Sequence, residues 1–357
     1  MKMKQNFLLG AMALAGLFVS CSQTEMEEAA NVPQKGNEVT VTVAPSADFT
    51  QPRTRTESNQ QLRYIAELWE EDKTTNPTNP TTKKLIARTE QVGADANKFT
   101  FNVEQQGDYV ILFWADYIAA GGSTSEKTIT GGGHMNSFTV TFQGYTDKEF
   151  KTNEISYGND NLVGLQKVSM NKPDDKSVYF SRTLEAFCGK LSFTKDVNIV
   201  NKQVTLKRPL CKYIFKEKNA SALSTISNIA ITSFIFNIYY NVYNENMSSY
   251  NVNTGAPTSV NILNSSEQQL FTLYSFGGTT EGTLPTVSEP DFVFNFTTTD
   301  GSNKQDVKIK ANQIPCRANY IYTLSGSFVQ DDPTGSAVNV DVTYNEGWTD
   351  GSKDLDN

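Results

Sequence analysis

Cysteine is the residue type whose placement in this chain points to a defined chemical step. Cys21 follows Lys2, Lys4, thirteen mostly apolar residues from Phe7 to Val19, and Ser20. Two cations, a short apolar run and a small residue have the form of a secretory signal, and the run is too short to cross a bilayer comfortably as a helix. A cysteine at the end of such a signal sets a nucleophilic thiol beside the point of cleavage. Cys188, Cys211 and Cys316 remain, an odd number. In a chain long enough to build a core without staples they are expected as buried, packed thiols, with a Cys188–Cys211 bridge as the alternative.

Other reactive side chains form no catalytic pattern. The single histidine, His134, follows Gly131, Gly132 and Gly133, a setting in which it is solvated. No C-x-x-C, H-E-x-x-H, G-x-S-x-G or phosphate-binding glycine loop occurs. Asn159, Asp160 and Asn161, like Asp174 and Asp175, lack the alternate-position spacing of a calcium loop. The chain therefore reads as not an enzyme, with no cofactor and no metal. Tyr239, Tyr240, Tyr243 and Tyr250 could face sugar rings, but cross-strand packing on an exposed sheet face is the expected use.

These residues must be carried by strands. Phe (21) and Tyr (15) are abundant among the 357 residues, with Thr, Val and Ile common. A net charge of −8 and the lack of a basic cluster exclude nucleic acid as a partner. No second apolar run approaches a membrane span, so any membrane attachment would run through lipid on Cys21. After the signal, residues 1–20, an acidic tether begins at Ser22. Within residues 21–57 lies Glu38–Val43, where Val39, Val41 and Val43 alternate with polar residues as in a half-buried strand. A polar segment follows, bearing Arg53 and Arg55. Residues 58–201 and 202–357 read as two successive β-sandwiches, built from many short strands and almost no helical periodicity. Tyr109–Ala115 is apolar on both faces, so a central strand is predicted there. Gly107–Asp108 is predicted as a turn, Gly121–Gly133 as a flexible loop, and Val178–Phe180 as a strand. The last predicted strand, Val338–Tyr344, alternates with Val338, Val340 and Val342 on one face.

Ser20-Cys21 resembles the end of a bacterial lipobox, with Phe18 standing where that motif usually has Leu. Four further segments carry a wider resemblance: Arg63–Trp69 (RYIAELW), Gly107–Tyr117 (GDYVILFWADY), Val204–Tyr213 (VTLKRPLCKY) and Ile314–Tyr320 (IPCRANY). In this order they are similar to the fimbrillin superfamily, the pilus subunits of anaerobic Gram-negative bacteria. The resemblance implies an all-β fold of two tandem transthyretin-like β-sandwich domains after a lipoprotein signal peptide. It implies a surface-exposed lipoprotein of the outer membrane or fimbrium, with other fimbrillin-like subunits as partners and a host protein or glycan as an adhesion target. It also implies strand exchange: a protease cuts after an arginine, Arg53 or Arg55 here, the first strand leaves, and a strand donated by another subunit fills the groove. Val39, Val41 and Val43 fit the displaced strand, and Val338, Val340 and Val342 could act as the donor.

Cys21→Ala should leave unprocessed precursor that takes up no radiolabelled palmitate. Normal processing and labelling of that variant would remove the lipoprotein assignment.

Overall fold

Branched and aromatic side chains give the regular structure to strands almost entirely. The computed structural model describes residues 36–45, 59–73, 81–131, 137–153, 162–262, 264–280, 292–298, 307–310, 314–329 and 340–347. All of them lie in one unit, Lys35–Asn357. The first strands are β1 Glu38–Pro45, β2 Gln60–Asp72, β3 Thr81–Val92, β4 Lys98–Asn102, β5 Gly107–Ala119, β6 Thr124–Gly131 and β7 Phe138–Tyr145. Then come β8 Phe150–Lys151, β9 Val168–Met170, β10 Ala186–Lys195, β11 Val200–Leu206, β12 Leu210–Glu217 and β13 Ile226–Asn241. The last are β14 Asn246–Val260, β15 Gln269–Phe276, β16 Phe292–Thr298, β17 Val307–Ile309, β18 Tyr320–Gly326 and β19 Asp341–Glu346.

The fold is all-β. A sheet in the order β11-β1-β4 packs on a second, β10-β5-β2-β3. Leu62, Tyr64, Ala66 and Leu68 of β2, with Ile111, Phe113 and Ala115 of β5, face Val39, Val41, Phe99 and Val204 across that interface. The alternate residues Ile65, Trp69, Val110, Leu112 and Trp114 face the other way, into a second core. That core continues through the sheets β15-β12-β18-β19 and β17-β16-β13-β9-β8. The predicted central strand at Tyr109–Ala115 is therefore central, paired to β10 on one side and β2 on the other. β8 and β9, which precede residue 202, join the sheet of β13.

Period-two alternation also places charges inside. Arg63, Glu67, Arg88 and Asp116 are 0–5% exposed on the second face of the central sheet. Arg63 grips Asp116 through Nε–Oδ1 at 2.9 Å and Nη2–Oδ2 at 2.8 Å, and reaches Asp147 at 2.8 Å. Arg88 donates to Glu67 and Glu90, each at 2.6 Å, and to the Thr152 carbonyl at 2.7 Å. Glu67 also accepts from the Leu165 amide at 3.0 Å and from Trp69 Nε1 at 3.1 Å. Burial pushes the Glu67 and Asp116 carboxyls upward from their ordinary range, and the paired arginines oppose that push. Gly164 is held at φ 57°, and a Cβ there would stand 2.3 Å from Glu67 Oε1. The network thus fastens Tyr145, Asp147, Thr152 and Leu165 onto the sheet.

Several sequence expectations are corrected. Gly121–Gly133 is not simply a loop, because Thr124–Gly131 forms β6 and pairs with β7. Its polar residues face solvent, and only Ile129 and Gly131 turn inward, so its apolar signal is weak. Val178–Phe180 is not a strand. It belongs to a 3₁₀ turn, Lys176–Phe180, capped by Asp175 accepting from the Ser177 amide at 2.9 Å. The turn drives Phe180 against Phe234 and Phe271. Gly107 and Asp108 open β5 rather than forming a separate turn, opposite Lys195 and Thr194. β14 went unpredicted because its Asn- and Ser-rich run carries little apolar pattern, and β13 supplies its pairing. Residues 74–80, Asn159, Asp160, Asn161 and His134 lie outside the described residues.

Removing a buried partner strands charge, whereas removing a surface one does not. Arg88→Met should lower unfolding stability by roughly 3–5 kcal/mol in urea denaturation. Lys83→Met removes surface pairs at 3.9 and 3.8 Å and should change stability by less than about 1 kcal/mol. Similar losses from both variants would show that the buried network is dispensable.

Candidate strand-exchange groove

Strand β1 has the simplest sequence in the chain and the most demanding position. Val39, Val41 and Val43 are 0%, 0% and 1% exposed, among the most deeply buried residues of the first core. On the opposite face Thr40 Oγ1 lies 3.1 Å from Thr100 Oγ1 and donates to Glu38 Oε1 at 3.0 Å. β1 runs parallel to β11, from Val39 opposite Val200 to Pro45 opposite Leu206. It runs antiparallel to β4, from Glu38 opposite Asn102 to Thr42 opposite Lys98. β11 and β4 do not pair with each other, so β1 fills a slot one strand wide.

Both ends of β1 are fastened. Gly36 donates to the Val197 carbonyl at 3.0 Å, and Val103 donates to the Asn37 carbonyl at 2.8 Å. Lys195, 2% exposed, donates through Nζ to the Gly36 carbonyl at 2.8 Å. At the far end the Val43 amide donates to the Asn97 carbonyl at 2.9 Å, and Asn97 Nδ2 returns a bond to the Val43 carbonyl at 2.9 Å. Sequence reasoning missed Lys195 and Asn97, which have no local signature. It also left the lining of the slot unassigned, although Phe99 and Phe101 alternate visibly in β4.

The candidate donor is held differently. Among the described residues, β19 lies at a sheet edge and pairs only with β18, Leu324 opposite Val342. Val340 and Val342 are partly buried against the second core, and Tyr344 is 61% exposed, leaning on Tyr320 at 5.5 Å. Asp341 pairs with Lys218 at the surface. Val338, Cys21, Arg53 and Arg55 lie outside the described residues.

Sequence similarity places the chain among its relatives. Residues 32–356 match DUF6562, a family of unknown function. The chain belongs to this family. No curated protein matches it. Among solved structures, the tip fimbrial protein Mfa3 of Porphyromonas gingivalis, truncated at its C-terminus, is 11% identical with a TM-score of 0.41, over 87% of this chain and 99% of that one. The fimbrial anchor protein Mfa2 of the same organism is 11% identical with a TM-score of 0.39, over 87% and 97%. A Bacteroides thetaiotaomicron protein provisionally described as polysaccharide-binding is 9% identical with a TM-score of 0.42, over 86% and 97%.

In this family member Tyr240 and Tyr243 are not displayed on an exposed sheet face: they are 3% and 9% exposed. Tyr243 Oη donates to Glu71 at 3.1 Å, and Tyr240 packs on Phe276 at 5.3 Å. Tyr239 is partly buried beneath Lys167 Nζ at 5.1 Å. The side chain of Tyr250 is not among those described. Among the described residues, no group of three or more His, Cys, Asp or Glu side chains could hold a metal ion.

Loosening either end of β1 should make it open more often. Lys195→Met and Asn97→Ala should each raise hydrogen exchange of the β1 amides by about tenfold, the worth of one buried hydrogen bond. The β5 amides should be unchanged. Equal acceleration in β5 would mean general destabilisation instead of local release.

Proposed function

We propose that this chain is a fimbrial structural subunit or tip protein, a surface-exposed lipoprotein of the outer membrane that joins its neighbours by strand exchange and serves adhesion. The observation that carries this is the place of β1 in the order β11-β1-β4. A middle strand cannot leave without exposing two rows of backbone donors and acceptors, and such a slot is a template for an added strand. Pro45 ends β1 and Gln60 starts β2, so the covalent tie between them spans the segment that bears Arg53 and Arg55. Lipid on Cys21 would hold the precursor to the membrane, and a cut after either arginine would free the core from that anchor. The core would then act as two sandwiches that share the second core, with β11 in the first and β8 and β9 in the second.

A second reading is an anchor or accessory lipoprotein that keeps its first strand. The fastenings at both ends of β1 favour it. The two differ in the N-terminus of protein recovered from the cell surface: Thr54 or Thr56 after a cut, Cys21 if β1 is retained.

Trypsin should cut the folded protein first after Arg53 or Arg55, and the cut protein should assemble into multimers as it is concentrated. Deleting Val338–Asn357 should stop assembly and leave the first core folded. A cut protein that remains a stable monomer at high concentration would argue for a surface protein that binds a host protein or glycan without polymerising.

A further inference from the structure

Three described cysteines are free and buried, but only two of them meet. Cys211 Sγ on β12 and Cys316 Sγ, just before β18, are 3.8 Å apart, with the two residues 105 positions apart in sequence. Both are 0% exposed. Cys211 lies within 3.3 Å of Tyr213 Oη and 3.5 Å of the Ser275 carbonyl. Cys316 donates to the Phe276 carbonyl at 3.2 Å and accepts from Asn237 Nδ2 at 3.3 Å. The backbones here are crowded: a Cβ on Gly277 would stand 2.3 Å from the Ala318 nitrogen. Cys188 belongs to a different neighbourhood, paired across the bridge with Lys207, and burial pushes its thiol up to about 12.

We propose that Cys211 and Cys316 are an oxidation site that closes to an intrachain disulfide in the exported protein, leaving Cys188 as a thiol. Closing the gap needs each sulfur to move by only ~0.9 Å, since a disulfide bond is about 2.05 Å long. The oxidant is a disulfide donor, protein or small molecule. One cysteine thiolate attacks the donor and releases its first thiolate. The second cysteine thiolate then attacks the mixed disulfide, forms the Cys211–Cys316 bond and releases the other donor thiol. Two electrons and two protons pass to the donor. Because both sulfurs are sealed from solvent in the folded chain, the exchange occurs before the second core closes.

The bond ties β12 to the segment that leads into β18, and the loop it closes contains β13 to β17. β18 is the neighbour of β19, the candidate donor. If β19 leaves, β18 becomes an edge held by β12 alone, and the disulfide keeps the two together. That use rests on the strand-exchange reading, but formation of the bond does not.

The test is peptide mapping of the full chain carrying Cys21→Ala, refolded from urea with oxidised glutathione and then denatured and blocked with N-ethylmaleimide. The expected product is one linked peptide pair, Cys211 with Cys316, lighter by two hydrogens, with Cys188 alkylated. Reduction should lower the thermal midpoint by about 5 °C or more, as loss of a long cross-linked loop does. Alkylation of all three thiols, or a link through Cys188, overturns the proposal. Protein recovered from cells should carry the same link. A link formed in vitro but absent from processed surface protein overturns it for the exported chain. If only unprocessed precursor is found there, the export reading has failed and the bond geometry has not.

Discussion

Strands β2 and β5 send side chains alternately into two cores, so a charge buried at the middle of either strand needs a partner inside the protein. Leu62, Tyr64, Ala66 and Leu68 meet the first core, and Arg63, Ile65, Glu67 and Trp69 point the other way. Burying an unpaired ion costs several kcal/mol, so Arg63 and Glu67 are tolerable only as members of a network. The network recruits Asp116, Arg88, Glu90, Asp147 and Thr152, and with them the segment that covers the sheet. The central sheet is thus both the floor of the β1 slot and the wall of the second core.

That floor sets the energetics of β1. Three fully buried valines contribute about 1.5 kcal/mol or more each, and whole domains are stable by only about 5–15 kcal/mol. An empty slot would remove a large share of the total. Release of β1 and arrival of a replacement are therefore coupled: the replacement must bring small branched residues at alternate positions and leave no backbone group unpaired. β1 is paired on both edges and latched at both ends, whereas β19 is paired on one edge and half exposed. The two strands share a pattern of valines and differ in how tightly the fold holds them.

The second core shows the same economy of partners. β13 pairs with β14, β16 and β9 along its length, with register shifts near Ile231 and Asn237 that let one strand serve several neighbours. Tyr240 at its far end, and Tyr243 just beyond it, are buried instead of displayed. Asn237 turns to the same polar pocket that holds Cys211, Cys316 and Ser275, so that a kink in one sheet is matched by hydrogen bonds to the other.

Much of this was legible in the chain. Strict alternation identified β1, and a run apolar on both faces identified β5 as central, because side-chain direction in a strand is a local property with period two. Local pattern also showed that the cysteines have no framework spacing. Partners are another matter. Nothing in Val39–Val43 says that β11 lies parallel on one side and β4 antiparallel on the other. Nothing near Cys211 says that its neighbour is Cys316 and not Cys188. β6 and β14 were hidden because strands rich in Thr, Ser and Asn carry little apolar pattern and gain their order from the strand beside them. The turn at Val178–Phe180 was misread because its aromatic residues pack as a 3₁₀ corner. By itself the sequence determined an all-β chain and its main buried strands. Only the tertiary structure decided which strands pair, which charges meet and which thiols touch, because each depends on contacts between residues far apart in the chain.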